Sequence, residues 1–253
     1  MVVHSLFTGD NYFVDRAVWR GETSTTSFEF LETCFGRESM NQLFWNTITE
    51  DMRLVLREFF KSGIARKFYL AGGTALSLQI GHRHSIDLDL FSPTEDIPSI
   101  RAMLEDSFSA LRPELADSSW GNLVYVVENV RVGFYGYGYA MLNPLVEAET
   151  SRLASIEDIA LMKMDALLSR ANRKDFFDLY FICQDVPLRL LFDNAPQKFP
   201  SIRDFEVQVV KRLVYFESAD YDPEPSLLKP ASWQTVKEFF IKQAKEIEQS
   251  WLK

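Results

Sequence analysis

Three stretches of the chain carry the signature of strands. Phe68-Tyr-Leu-Ala71 is a short apolar run stopped by Gly72-Gly73, and Ser85-Ile-Asp-Leu-Asp-Leu-Phe91 alternates polar and apolar positions. Leu123-Val-Tyr-Val-Val127 and Val130-Arg-Val-Gly-Phe-Tyr-Gly-Tyr-Gly-Tyr139 flank a Glu128-Asn129 turn and predict a hairpin. Elsewhere the apolar period is that of a helix. Thr49 to Lys61 places Met52, Leu54, Val55, Phe59 and Phe60 at helical spacing, Ile97 to Leu111 follows the breaker Ser92-Pro-Thr, and nearly everything from Ser155 onward is helical in pattern. Thr74 to Gln79 predicts a short helix with Thr74 as its N-cap, and Ser155 opens a longer one with Asp158 in capping-box position. Asp222 to Pro230 is a proline-punctuated linker, after which Ser232 caps a terminal helix ending near Trp251. The organisation read from this pattern is a peripheral arm over 1–40, an α/β domain over 41–150 and a mainly helical domain over 151–253, with an active cleft between the last two.

The strand at Ser85–Phe91 carries the first candidate chemistry. Residues i and i+2 of a strand leave the same face, so Asp87 and Asp89 stand side by side. Two carboxylates that close repel unless a cation lies between them, and an all-oxygen pair suits Mg²⁺, with Mn²⁺ as the alternative, together with substrate phosphates. Twelve residues separate Asp87 from Thr74, and glycines ahead of a helix expose backbone N–H groups that favour phosphate oxygens. Gly72, Gly73 and Thr74 therefore read as a cradle for the phosphates of a nucleoside triphosphate. Alone, each half has a plainer reading, a solvated strand face and a turn needing glycine; their proximity favours the chemical one.

A cation is placed next. At about 100° per residue, Lys163 falls among Ile156, Ile159, Ala160, Met164 and Leu167, away from the polar side made by Asp158, Asp165, Ser169 and Asn172. A lysine on the apolar side must reach an anion or snorkel to the surface, and a triphosphate is the functional choice. Arg170 and Lys174 extend that stripe if the helix runs on; a loop over Ser169–Arg173 would break it. Arg83 or His82 is placed to hydrogen-bond an aspartate or a phosphate, while three histidines supply a zinc site poorly. The Phe134–Tyr139 alternation of Gly and Tyr suits base stacking, but a bent edge strand with partly buried rings is the favoured reading.

Composition narrows the partners. The net charge of −9, from 36 acidic and 27 basic residues, argues against a broad nucleic-acid-coating surface. It leaves room for a local basic groove from Arg170, Arg173, Lys174, Lys211 and Arg212, and suits a partner with a basic face. Two distant cysteines, Cys34 and Cys183, give no disulfide framework. No apolar run reaches membrane length, and a start containing Asp10 and Asp15 is not a secretory signal, so the expected compartment is the cytoplasm.

Leu70-Ala-Gly-Gly-Thr-Ala-Leu-Ser-Leu78 with Gly81-His-Arg-His-Ser-Ile-Asp-Leu-Asp-Leu-Phe91 resembles the AbiEii/AbiGii family of nucleotidyltransferase toxins, within the polymerase-β-like superfamily. Ala154–Arg170 and the Lys-Asp-x-x-Asp-Leu run at Lys174–Leu179 support the likeness, which spans Phe68 to Asp178 with a weaker echo at Lys229–Trp233. The resemblance implies a small mixed sheet with flanking helices, a helical C-terminal part, and Mg²⁺-dependent transfer of a nucleoside monophosphate from an NTP. It implies an acceptor such as the tRNA 3′ end, a DNA-binding antitoxin encoded alongside and a role in phage defence. By resemblance Lys163 and Asp175 join Asp87 and Asp89 as catalytic residues; Arg83, the stripe residues Arg170 and Lys174, and Asp178 complete the expected nucleotide site, with a helix-surface or structural salt bridge from Asp178 to Arg170 or Arg173 as the plainer alternative. One departure stands out: where the superfamily often places a third carboxylate, this chain has Gly133. That keeps open a silent nucleotide-binding protein, and a transferase acting on a small molecule or protein.

Overall fold

A computed structural model describes residues 43–119, 121–148 and 151–251. The arm expected over 1–40 lies outside the described residues, which fold as one compact unit. The described strands are β1 (Tyr69–Leu70), β2 (Asp87–Ser92), β3 (Glu114–Asp117), β4 (Leu123–Val127), β5 (Val130–Gly136), β6 (Val146–Ala148) and β7 (Ser151–Leu153). They form one mixed sheet in the order β3-β4-β5-β2-β1-β7-β6. β2 runs parallel to β5 and antiparallel to β1, which is itself parallel to β7. β6 and β7 pair antiparallel at the sheet edge, so the strand Ser151–Leu153 belongs to the sheet.

The alternation of β2 sorts its side chains to two faces. Leu88 and Leu90 are buried on one, with Val132 and Phe134 beside them in register on β5. Against that face lies α1 (Glu50–Lys61), capped by Thr49 accepting from Met52 N–H at 3.2 Å. Its Phe59 ring sits 5.4 Å from Phe134 and 5.4 Å from Phe108, and Phe68 is 5.4 Å from Phe134. Phe134 is thus the hub of the aromatic core, and Phe134→Ala is expected to cost about 3–5 kcal/mol. Chemical denaturation with an unchanged slope would show it.

The expected helix over Ile97–Leu111 is broken into a turn at Ile97–Ile100, α3 (Arg101–Ser107) and a turn at Ser109–Leu111. The hairpin turn is as expected, both Glu128 and Asn129 taking positive φ. β5, however, is no edge strand: it pairs with β4 on one side and β2 on the other. Its Tyr135 stacks 5.1 Å from Phe91, and Tyr137 just beyond it is in edge contact with Phe91 at 5.6 Å.

The second half is helical: α4 (Ile156–Ser169), α5 (Arg173–Ile182), α6 (Leu188–Lys198), α7 (Phe205–Leu213) and α8 (Trp233–Trp251), with α2 (Gly72–Ile80) in the first half packing on α4. Ser155 caps α4 through Asp158 N–H at 3.0 Å, as the capping-box spacing predicts. Asp158 itself is not on a polar face. It is fully buried, accepts from Leu142 N–H and Asn143 N–H at 3.0 Å each, and pairs with buried Lys198 at 2.7 Å. The linker over 222–230 is a strap laid along the segment before β2: Ser226 O accepts from His84 N–H at 2.8 Å, and His82 O accepts from Leu228 and Lys229 N–H at 2.8 and 3.1 Å. Ser232 caps α8 through Thr235 N–H at 3.0 Å.

Candidate active site

The site is built where β1 turns into α2 beside β2. Ala71 N–H donates to Asp89 O at 3.0 Å, so the chain leaves the sheet directly against the second aspartate. Gly72 then takes φ +65°, a left-handed conformation that glycine adopts freely, and a Cβ there would lie 2.8 Å from Asp89 Oδ2. Gly73 is needed for a different reason: a Cβ on it would drive into the Arg83 guanidinium. The double glycine is therefore dictated from both sides, by a carboxylate and by an arginine. Gly72→Ala is expected to push Asp89 out of place, lowering any activity of the site by at least about tenfold while costing about 1–2 kcal/mol of stability for the strained backbone. Parallel activity and melting measurements would check both.

Thr74 is not the N-cap. Ala71 holds that position, no side chain caps the helix end, and Thr74 lies within the first turn, buried, where its hydroxyl donates to Asp87 O and accepts within 2.7 Å of Ser85 Oγ. It ties the helix start to the first aspartate, so that the backbone N–H groups of that turn, not the hydroxyl, are the groups there able to take an anion.

Asp87 and Asp89 share the half-buried face of β2, as their spacing predicts. Burial and the neighbouring Asp87 charge push the Asp89 carboxyl above its ordinary range, against the pull of Lys163, Lys174 and Arg170. Two oxygen donors whose mutual repulsion is unrelieved fit a hard cation completed by waters and phosphate oxygens. Among the described residues no cluster of three or more His, Cys, Asp or Glu offers a metal a fuller cage.

Facing the pair is a buried ionic relay. Lys163 on α4 is buried, its Nζ 2.8 Å from Asp175 Oδ1 and 2.5 Å from Asp178 Oδ2, both aspartates on α5. Arg170 ends α4 rather than extending it, and a short loop precedes α5, so Arg170 and Lys174 sit on separate elements. Arg170 donates to Asp175 through Nε at 3.0 Å and Nη2 at 3.2 Å. Asp178 binds neither Arg170 nor Arg173. Arg83 grips it with two bonds of 2.6 and 3.0 Å, and His82 Nε2 donates at 2.8 Å. Burial lowers the His82 pKa, so the neutral Nε2–H form makes that bond. The Arg83 and Lys163 charges hold Asp178 well below the carboxylate range despite its burial, and Lys163 and Arg170 hold Asp175 below it. The same carboxylates keep Lys163 and Arg170 protonated.

The structure thus brings together Gly72, Gly73, Asp87, Asp89, Lys163, Arg170, Lys174, Asp175, Asp178 and Arg83. Of the other groove candidates, Arg173 is committed to the strap, its N–H and Nε donating to Asp222 and Ala219 O at 2.8 Å each, and Arg212 donates to Leu168 O at 3.2 Å. Tyr135, read from the sequence only as one of the partly buried rings of the Gly/Tyr run, lies beside the pair. Asp89 pairs in register with Gly133, and a side chain at Gly133 would run into the Tyr135 ring and hydroxyl. Burial and the Asp89 charge push the Tyr135 phenol up to about 12.

Comparison with known proteins places these residues in context. The family model described as nucleotidyl transferase AbiEii toxin, type IV TA system, matches residues 53–119 and 127–251. An uncharacterized protein of Aquifex aeolicus is 34% identical over 210 residues, 79% of this chain and 97% of that one. Among solved structures, a putative nucleotidyltransferase from Helicobacter pylori is 18% identical with a TM-score of 0.48, over 79% of this chain and 93% of that one. MenT4, a nucleotidyltransferase toxin of Mycobacterium tuberculosis, is 12% identical with a TM-score of 0.49, over 78% and 85%.

Proposed function

The chain belongs to the AbiEii family of nucleotidyl transferase toxins of type IV toxin–antitoxin systems, and from that premise we propose that it transfers a nucleoside monophosphate from an NTP to the tRNA 3′ end in a Mg²⁺-dependent reaction. The observation that carries the reading is the Gly72 turn pressed against Asp89, which puts a helix N-terminus and a carboxylate pair at one point. Asp87 and Asp89 would hold Mg²⁺, which supplies charge neutralisation for the phosphates. The α2 N–H groups bind phosphate oxygens, and Lys163 and Arg170 offset charge on the departing pyrophosphate. Lys174, exposed at the start of α5, extends the same positive field. Asp175 and Asp178 act through these cations: both are fully buried and bonded to them, and a carboxylate held below its ordinary range is a poor base, so Asp175 orients Lys163 and Arg170 rather than taking the acceptor's proton. Arg83 bonds Asp178 and sets the Gly73 backbone, a positioning role.

We place the reaction in the cytoplasm, with a cognate antitoxin and defence against phage as its setting. No described helix is long and apolar enough to cross a membrane. A second reading, a nucleotide binder without turnover, is favoured by Gly133 opposite Asp89. The test is incubation of the purified protein with Mg²⁺, each of four α-³²P-labelled NTPs and total tRNA. Label entering tRNA supports the proposal and identifies the nucleotide. Label on the protein itself replaces tRNA by a protein acceptor, and NTP binding without transfer selects the second reading.

A further inference from the structure

We propose that the Tyr135 hydroxyl, folded over Gly133 beside Asp89, is a phosphate-binding group of the nucleotide site. The inference rests on the nucleotide-binding reading of that site and deepens it.

Three observations carry it. First, register: β2 and β5 are parallel with Asp87 opposite Arg131, Asp89 opposite Gly133 and Phe91 opposite Tyr135, so Asp87, Asp89 and Tyr135 share one sheet face. Second, direction: Tyr135 leans back along its strand over position 133, because a Cβ at Gly133 would meet the ring and Oη. The space a side chain at 133 would fill next to Asp89 is occupied by a phenol. Third, an open valence: Tyr135 Oη has no hydrogen-bond partner among the described residues, yet it is not among the buried unpaired atoms, so it keeps surface that a ligand can reach. The ring is fixed by stacking on Phe91 at 5.1 Å, and Phe91 in turn stacks on Tyr69 at 6.1 Å. A phenol held rigidly beside a carboxylate loses little freedom when it donates to a ligand.

The chemistry selects phosphate. Asp89 is turned toward the α2 N-terminus, so a ligand reaching both brings phosphate oxygens under the phenol. A third carboxylate at that point would repel them; a neutral O–H donates to them. Gly133 is then the residue that makes room for Tyr135, and the two positions act as a unit.

Tyr135→Phe removes only Oη and keeps the stack. Hydrogen bonds to charged groups are worth enough to predict about ten- to hundred-fold weaker binding. Titration calorimetry with Mg²⁺ and each NTP, and separately with inorganic tripolyphosphate, should show that loss for both ligands at an unchanged melting temperature. Gly133→Ala, which evicts the phenol, should show a similar loss in the wild-type background and none beyond it in Tyr135→Ala. Unchanged affinity in Tyr135→Phe overturns the inference. So does a loss confined to the NTPs, which would move the contact to sugar or base, and so do additive losses at 133 and 135. If the wild-type protein binds no NTP at all, the reading of the whole site fails and this inference with it; wild-type binding that Tyr135→Phe leaves intact removes the inference alone.

Discussion

Asp87→Ala is expected to lower nucleotide transfer by about three orders of magnitude or more while leaving the fold intact. Phosphoryl transfer depends on positioning and charge neutralisation, and losing one of two carboxylates removes half the protein's share of a cation's ligands. The fold should survive because Asp87 is half-buried and its backbone carbonyl, which receives the Thr74 hydroxyl, is untouched. Radiolabel transfer beside a melting curve separates the two effects; substantial residual transfer would sink the assignment. The neighbouring position sharpens the test. Asp89 is held above its ordinary carboxylate range by burial and Asp87, so over the window from that range up to its raised pKa the folded state binds more protons than the unfolded. Stability therefore falls as pH rises through this window. Asp89→Asn should melt higher than wild type at pH 7 without metal, and Mg²⁺ should raise the wild-type melting point more than the variant's. A variant that melts lower would show that Asp89 is a structural anion.

The second large effect concerns Asp178. Its two oxygens receive Arg83, His82 and Lys163 with no water-facing surface. Asp178→Asn leaves Arg83 without its charged partner and Lys163 with Asp175 alone. Breaking a buried pair from one side costs about 3–5 kcal/mol, which corresponds to a melting temperature roughly 10 °C lower. The pH dependence has the opposite sign to that of Asp89. Asp178 is depressed well below the ordinary range, so its contribution is complete above the unfolded carboxylate pKa of about 4 and is lost as pH falls from there through the folded value. Wild-type stability should drop on acidification below about pH 4, and Asp178→Asn should flatten that slope. Equal slopes would mean another carboxylate governs acid unfolding.

Local pattern carried most of the element positions and the core of the site. The period-two run around Asp87 and Asp89 named their shared face, and the apolar arc of α4 singled out Lys163 as a buried cation. What local pattern lacked was partners distant in sequence. That Lys163 meets Asp175 and Asp178 and that Asp158 is buried under Lys198 depend on how α5 and α6 pack against α4, and that Arg83 reaches Asp178 depends on how the segment after α2 lies against α5. The Thr74 expectation failed because Gly72, at φ +65°, starts the helix three residues earlier than a Thr74 cap would. The tyrosines of β5 were legible as aromatic, but only the register with β2 shows Tyr135 filling the place beside Asp89.

The strap over 222–230 gives the order of synthesis a meaning. Its Ser226, Leu228 and Lys229 hold the backbone of His82 and His84, and Asp222 anchors the start of α5. Every one of these strap residues comes late in the chain, while the His82 and His84 backbone they hold, between the glycines and the aspartates, comes early. A ribosome that has already released the motif into solution still holds a polypeptide whose site lacks its brace, and the chain acquires its finished geometry only once residue 229 has emerged.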